Sequence, residues 1–226
     1  TGLERRLDGF QITTATGVLY ADQVVMAVGV FMKQFGIGSG RFVPMATYAS
    51  LTAPLSKAHL AQLGTAESFG LLGGSEYGAT IRLTKDNRLF VRNVFKHAPG
   101  APTGKKGVDN ISDAHRKAMI ARWPGLAELP FEHSWGGIMA FTWNDGTIFG
   151  EVEPGVFAVL TNDVSPMTRG TAAGRLLADL MVGNDSELLR TQLGIPGASR
   201  LPPRPFLDIG IAMRKSRLHL AARREF

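Results

Sequence analysis

The first third of the chain alternates short apolar segments with turn-forming residues, a pattern typical of β-strands. Residues 10–14 and 18–20 form two such segments on either side of a Thr-Gly pair, which predicts a turn. The run 23–29 is almost continuously apolar and ends in glycine, as in a strand buried on both faces. A glycine-rich loop at 36–40 follows. The pattern therefore predicts a β-rich N-terminal region.

The middle of the chain also carries the signature of strands. Segments 77–83 and 88–94 are separated by the polar stretch 84–87, and together they predict a β-hairpin. A longer strand is predicted over 131–141, interrupted at its two adjacent glycines, and a short one over 156–160. We therefore expect an antiparallel sheet in this region.

Three segments have the spacing of helices. They are 54–63, which opens near a proline, 112–123, which has a serine N-cap and ends at Pro-Gly, and 168–182. The stretch 97–110 is rich in proline and glycine and is predicted to be a loop.

The helix predicted over 168–182 opens with small residues, and two explanations of them stay open. Small side chains in a first turn let a ligand approach the backbone N–H groups at the positive end of the helix. Gly170, Ala172, Ala173 and Gly174 equally suit close packing of the helix on a sheet. Residue pattern alone favours neither explanation.

Composition excludes several classes of protein. The chain has 226 residues, of which 44% are hydrophobic and 19% charged, as in a globular core rather than a disordered chain. Cysteine is absent, so disulfide scaffolds, cysteine zinc sites and thiol catalysis are excluded. No apolar run is long enough to predict a membrane span, and no signal peptide is visible. We therefore predict a cytoplasmic protein with no membrane partner.

The net charge of +6 is concentrated at the end of the chain. The basic residues of the segment 201–226 are Arg204, Arg214, Lys215, Arg217, Arg223 and Arg224, against Asp208 and Glu225. A basic tail can bind nucleic acid or a membrane surface, and it can also be a solvated terminal helix or arm. No aromatic RNA-binding motif, zinc finger or helix-turn-helix accompanies it. We therefore predict the solvated form and disfavour a nucleic-acid partner.

The short motifs of familiar catalytic sites fail on spacing. The glycines at 36, 38 and 40 require a further glycine where Arg41 stands, so the dinucleotide fingerprint is not met. The stretch 100–106 is one residue short of a phosphate loop. No histidine pair has the spacing of a zinc site, and Ser134 lacks the Gly-x-Ser-x-Gly context of a hydrolase. The sequence therefore predicts no metal and identifies no catalytic residue.

Several weaker segments nevertheless occur in one characteristic order. They are Thr16-Gly17-x-x-x-Ala21-Asp22-x-Val24-Val25-x-Ala27-x-Gly29, Pro54-Leu55, the hairpin with Arg82 and Asp86-Asn87-Arg88-Leu89, Ser134-Trp135-Gly136-Gly137, and Gly170-Thr171-Ala172-Ala173-Gly174. This order resembles the D-amino-acid-oxidase-like family of FAD-dependent oxidoreductases, in particular its glycine/sarcosine oxidase and gamma-glutamylputrescine oxidase branch. The resemblance covers roughly residues 10–183.

The resemblance implies an α+β fold that is the C-terminal part of a two-domain flavoenzyme. One domain is an antiparallel-sheet substrate domain, and the other contributes the last strands and the C-terminal helix of a Rossmann-like FAD domain. The expected boundaries are 1–46 for the end of the FAD-binding domain, 47–142 for the substrate domain, 143–183 for the return to the FAD-binding domain with a flavin-facing helix, and 184–226 for a C-terminal extension with the basic tail. The implied partner is a missing N-terminal FAD-binding portion.

The resemblance also implies positions for the cofactor and the substrate. Those expected to bind FAD are Ala27, Val28, Gly29, Val164, Ser165, Pro166, Met167 and Thr168. Those expected to bind the substrate are Tyr77, Arg82 and Trp135, with the arginine holding a carboxylate. A surface ion pair is an equally good explanation of Arg82.

Two functions follow from these expectations. The first is oxidation of the C–N bond of a small amine or amino acid to an imine by hydride transfer to FAD, chemistry that depends on orientation more than on an acid or base. The second is a non-catalytic binding or assembly subunit. It is favoured by the missing Gly-x-Gly-x-x-Gly and by the loop at 164–166, where family members commonly have Gly-His-Gly and Pro166 has no N–H to donate.

Overall fold

The computed structural model describes residues 2–65, 67–74, 78–98, 105–161 and 166–221. The strands of these residues are β1 (Gly2–Arg6), β2 (Gly9–Thr13), β3 (Val18–Ala21), β4 (Val24–Met26), β5 (Phe42–Thr52), β6 (Phe69–Leu72), β7 (Thr80–Leu83), β8 (Leu89–His97), β9 (Phe131–Thr142), β10 (Ile148–Glu153) and β11 (Val156–Leu160). The α-helices are α1 (Lys57–Leu63), α2 (Lys105–Arg122), α3 (Pro166–Met181), α4 (Glu187–Leu193) and α5 (Phe206–Ala221). Short 3-10 helices occupy Gly29–Phe35 and Pro124–Leu126.

The chain divides into two compact units. The first comprises Thr1–Pro44 and Met139–Leu201, and the second comprises Met45–Ile138 and Pro202–Phe226. Each unit is thus assembled from two separate stretches of the chain.

The first unit contains two three-stranded sheets. One is an antiparallel meander in the order β1-β2-β3, and the other has the order β10-β11-β4. Within the second sheet, β11 pairs antiparallel with β10 and parallel with β4. Helix α3 contacts both β10 and β11. Its inner side is formed by the buried Ala173 and Leu177.

The second unit is built on a five-stranded sheet in the order β6-β7-β8-β5-β9. Strands β7 and β8 form the expected hairpin, with Asn87 in the left-handed region at φ 58°. Thr84 closes the turn, because its backbone N–H donates to the Arg88 carbonyl at 2.9 Å and its hydroxyl accepts from the Arg88 N–H at 2.9 Å.

One face of this sheet, called the inner face below, forms the hydrophobic core of the second unit. The alternating residues of β7 and β8 that point to it are almost completely buried, because strand side chains project to opposite faces in turn. The cluster contains Leu55, Ala79, Ile81, Leu83, Leu89, Val91, Met119, Leu126 and Leu129. Met119 belongs to α2, so this helix covers the inner face.

The first predicted helix begins later than the proline suggested. Helix α1 starts at Lys57 because Ser56 is its N-cap: the Ser56 hydroxyl accepts from the His59 N–H at 3.2 Å, and the Ser56 N–H donates to His59 Nδ1 at 3.4 Å. The predicted strand 23–29 is likewise shorter, since β4 ends at Met26 and a 3-10 helix begins at Gly29.

Two predictions about irregular structure were wrong. The stretch 97–110 is not all loop, because α2 already begins at Lys105. Strand β9 runs through its adjacent glycines without interruption. Glycine weakens a strand, but the backbone hydrogen bonds to the neighbouring strand keep it extended here. Helix α4, with Ser186 as N-cap, was not predicted at all.

The basic tail is largely helical, as α5 covers Phe206–Ala221. Arg204 and Asp208 form an exposed ion pair at 3.6 Å across its start. Among the described residues, no helix combines the length and the apolarity required to cross a bilayer.

Candidate functional site

The parallel pair of strands in the first unit brings two distant segments to one edge. Val24 lies beside Val156 and Met26 beside Ala158, so β4 and β11 run in the same direction. Residues 27–29 follow β4, and the connection to α3 follows β11. Because the carboxyl ends of parallel strands lie at the same edge, both segments begin there. This place is called the carboxyl edge below, and ligands of open α/β sheets bind at such edges.

The residues that follow β4 are accessible. Val28 is 41% exposed, although Met26 just before it is buried. Gly29 has φ +54°, and a methyl group built on it would meet no atom of the described residues within 4 Å. The predicted residues Ala27, Val28 and Gly29 therefore lie at the carboxyl edge with open space beside them.

The first turns of α3 are open on the side away from the sheet. Met167 is 81% exposed, and Thr168 is also exposed. Among the residues that the structure describes, a Cβ added at Gly170 or Gly174 would meet no atom within 4 Å beyond the helix itself. Of the two explanations for these small residues, close packing applies to the buried Ala173, whereas the two glycines leave free space for a ligand.

Part of the predicted cofactor segment lies outside the described residues. Val164 and Ser165 belong to it, and of Pro166 the structure describes only the backbone, as the first residue of α3.

The predicted substrate residues Arg82 and Trp135 share the other face of the five-stranded sheet, called the outer face below. Arg82 pairs with Phe90, and both alternate with residues of the inner face. The Phe90 and Trp135 rings lie 5.9 Å apart, centroid to centroid, tilted by 50°. Trp135 remains 44% exposed. The third predicted residue, Tyr77, lies outside the described residues.

A second arginine on the outer face was missed in the sequence. Arg92 is half-buried, donates to Thr80 Oγ1 at 2.7 Å and stacks over the Phe95 ring at 4.7 Å. Burial lowers the pKa of Arg92, and the positive charge of Arg82 lowers it further. Successive residues of a strand point to opposite faces, so Arg92 lies on the same face as Phe90. This alternation is visible in the sequence and could have identified Arg92.

A polar network lies under the inner face. Ser50 Oγ is 2.8 Å from His115 Nδ1 and 2.7 Å from Ser134 Oγ. His115 is fully buried, its ring meets Phe131 edge-on, and its Nε2 has no hydrogen-bond partner in the described part of the chain. Burial lowers the pKa of His115 to about 4, so the imidazole is neutral. Because Ser50 and His115 are both fully buried, the network holds the sheet on α2 rather than reaching a substrate.

No group of histidine and acidic side chains within the described part of the chain has the arrangement of a metal site.

Comparison with known proteins identifies the class of enzyme to which this architecture belongs. The fold is that of flavin-dependent oxidoreductases, with antiparallel sheets beside a parallel pair. A family model described as FAD dependent oxidoreductase, abbreviated DAO, matches residues 1–180. The chain belongs to this family, and the resemblance and fold class predicted from the sequence are confirmed.

Individual relatives are distant. A probable oxidoreductase, OrdL, from Rhizobium meliloti is 25% identical over 197 residues, which cover 86% of this chain and 44% of that protein. Glycine oxidase from Geobacillus kaustophilus superposes with a TM-score of 0.65 at 17% identity, covering 89% of this chain and 51% of that one. Iminodiacetate oxidase from Chelativorans sp. BNC1 gives a TM-score of 0.63 at 19% identity, covering 87% and 52%. The chain thus spans about half the length of the proteins it matches.

The carboxyl edge fits the cofactor on which the family depends. FAD is an extended, anionic and partly apolar molecule, and the edge offers the exposed Val28 and Met167 beside the positive N-terminus of α3. The space that a side chain at Gly170 or Gly174 would occupy is free. The residues present are therefore compatible with FAD.

Proposed function

We propose that this chain is the C-terminal portion of an FAD-dependent oxidoreductase that oxidises the C–N bond of an amine or amino acid. The substrate carbon loses a hydride and its nitrogen loses a proton, which leaves an imine that water hydrolyses. FAD, when bound, supplies the acceptor for the hydride. The names of the compared structures, glycine oxidase and iminodiacetate oxidase, favour this substrate class.

The carboxyl edge is the observation that carries the proposal. Strands β4 and β11 run parallel, so residues 27–29 and the connection that leads to α3 leave the sheet at the same edge although they lie far apart in the chain. We propose that Ala27, Val28 and Gly29 contact the cofactor on one side, and the segment 164–168 on the other. The N-terminal N–H groups of α3 then stabilise the negative charge that develops on the acceptor.

The outer face supplies what a small substrate requires. Trp135 and Phe90 form an aromatic wall, and Arg82 adds a positive charge beside Phe90. Oxidation of a C–N bond depends mainly on holding the substrate carbon at the right angle and distance, so a rigid sheet face is a suitable platform. We assign these three residues to substrate positioning.

The first test is the flavin content of the full-length product of the gene. We expect a yellow protein with flavin absorbance. A correctly folded full-length protein that is colourless and takes up no added FAD would overturn the proposal in favour of a non-catalytic subunit.

A second test probes the carboxyl edge directly. The variant Gly170→Leu fills the open space beside the first turns of α3 and is expected to reduce flavin retention without loss of folded protein. The matched control is Ala178→Leu, an exposed position two turns further along the same helix. Equal flavin content in both variants would contradict the assignment of this edge to the cofactor.

A further inference from the structure

Helix α5 exposes a row of large apolar side chains, called the α5 stripe below. Its members are each more than half exposed and follow one another at intervals of three, four and seven residues, which places them on one face of the helix. They are Phe206, Ile209, Met213 and Leu220. Aligned apolar side chains in water mark an interaction surface more often than scattered ones do. The α5 stripe is therefore a candidate interaction surface.

The partly buried residues of α5 lie on its other side. Leu207 and Ile211 are partly buried, and at 3.6 residues per turn they point away from the α5 stripe. Most of the other described residues of the helix are exposed. The stripe therefore faces away from the side on which α5 is covered, and packing within the described part of the chain leaves it open.

The charges on α5 select among partners. Arg214, Lys215 and Arg217 are exposed, and Arg217 lies at the border of the α5 stripe. The acidic residue of this helix, Asp208, is already bound by Arg204 at 3.6 Å. The stripe is thus accompanied by positive charge, which complements an anionic partner.

Two other occupants fit the α5 stripe less well. In a pair of α5 helices joined at their stripes, the cations of one copy would come close to those of the other, and like charges oppose this. A nucleic acid would neutralise the cations but leave the apolar side chains in water. The model of the FAD-dependent family ends at residue 180, so α5 lies outside the region that the family shares. The occupant should therefore be both apolar and anionic, and separate from the flavin site.

We propose that α5 lies on the surface of an anionic lipid bilayer, with the α5 stripe inserted at the level of the head groups. Such a surface supplies an apolar layer and negative charge together, and the long stems of Arg and Lys let their charges reach the phosphates. The groove of an acidic protein would have to match the stripe in shape, whereas a bilayer accepts any aligned set of apolar side chains.

The apolar runs of the sequence do not predict this contact. A helix that lies in the plane of a membrane surface needs an apolar stripe and flanking cations rather than a long apolar run. The contact replaces the solvated tail predicted from the sequence, and it does not rest on the proposed function.

The test is sedimentation of the full-length product of the gene with lipid vesicles. One set of vesicles consists of phosphatidylcholine alone, and the other contains one third phosphatidylglycerol. We expect binding to the anionic vesicles that falls at high salt, and binding to the neutral vesicles that is weaker by about tenfold or more. Circular dichroism checks that each variant described below is folded.

Substitutions separate the apolar part of the contact from the charged part. Met213→Ser removes the central side chain of the α5 stripe and is expected to weaken binding to the anionic vesicles about tenfold. Leu188→Ser on α4 is the matched control, because Leu188 is equally exposed, and it should leave binding unchanged. Lys215→Gln and Arg217→Gln should each weaken binding about fivefold. Lys117→Gln, which removes an exposed cation from α2, should have no effect.

Each outcome supports the proposal or overturns it. No binding to the anionic vesicles, or equal binding to the neutral ones, overturns it and leaves an acidic protein as the partner of the stripe. Equal binding by Met213→Ser and Leu188→Ser also overturns it, since charge alone would then explain adsorption. A dimer, measured by light scattering, that dissociates in Met213→Ser would assign the stripe to a second copy instead. If Met213→Ser does not fold, Phe206→Ser tests the same stripe at the start of the helix.

Discussion

The two faces of the five-stranded sheet satisfy their polar groups in opposite ways. On the inner face, Ser50 links His115 and Ser134 in a neutral network closed off by α2. On the outer face, Arg82 and Arg92 are charged, and within the described residues neither meets a carboxylate. One sheet therefore carries a face with a buried, neutral hydrogen-bond network and, within the described residues, a face that lacks a counter-charge.

The difference between the two faces indicates which residues stabilise the fold and which are available to bind a ligand. A buried polar group that finds its partner inside the fold contributes to the folded state, and removing the partner is costly. A charge without a partner contributes nothing comparable and is available to a ligand. We therefore expect substitutions on the inner face to affect unfolding, and substitutions on the outer face to affect binding.

The largest expected effect is loss of inner-face packing. Leu89 is fully buried in the core cluster, so Leu89→Ala is expected to reduce the free energy of unfolding by about 2–5 kcal/mol. Leu72→Ala on β6 removes the same atoms from a side chain that is 79% exposed and should cost far less. Urea denaturation of both variants measures the difference, and equal losses would break the comparison.

The next effect is a dependence of stability on pH that arises from His115. Its pKa falls from 6.5 to about 4 on folding, so as the pH drops the unfolded chain takes up this proton first. The stabilisation is complete above pH 6.5 and is lost as the pH approaches 4, by about 3 kcal/mol. Unfolding by urea at pH 7.5 and 4.5 measures it.

Two substitutions assign this pH dependence to a residue. His115→Gln should flatten it, because the titrating group is gone. His133→Gln should leave it unchanged, because the His133 side chain is 64% exposed. A steep pH dependence that survives in His115→Gln would show that another group is responsible.

A smaller effect is expected from Ser50→Ala. Both His115 Nδ1 and Ser134 Oγ lose a close partner, which should cost about 1–3 kcal/mol of unfolding free energy. Ser112→Ala is the matched control, since Ser112 meets Ser134 at 3.4 Å only, and a change within about 0.5 kcal/mol is expected. A larger loss in the control would place the centre of the network at Ser112 instead.

The smallest effect on stability is expected from the outer face. Arg92→Gln removes the stacking on Phe95 and the hydrogen bond to Thr80 Oγ1, but it also removes the repulsion from Arg82, so its unfolding free energy should stay within about 1 kcal/mol of the parent. A loss of several kcal/mol would show that Arg92 stabilises the fold.

Local patterns predicted much of the secondary structure. The hairpin of β7 and β8, the short strand β11 and the helix after it all follow from strand periodicity, turn residues and helix spacing. The start of α2 was missed, because glycine and proline in 97–110 suggested a loop although the helix begins at Lys105. The adjacent glycines of β9 likewise suggested a break in the strand that the structure does not have. Pairing with the neighbouring strand outweighs the low intrinsic preference of glycine for β-structure.

The sequence alone determined the family, through the order of several weak segments, and the class of cofactor that the family uses. It also named Arg82 and Trp135, but it could not show that they share a face or that Arg92 joins them, because residues far apart meet only through strand order and register. The same holds for residues 27–29 and the connection to α3, which begin at one edge of the sheet only because β4 pairs parallel with β11. Side-chain type is a property of the chain, whereas the presence of a neighbouring charge is a property of the fold.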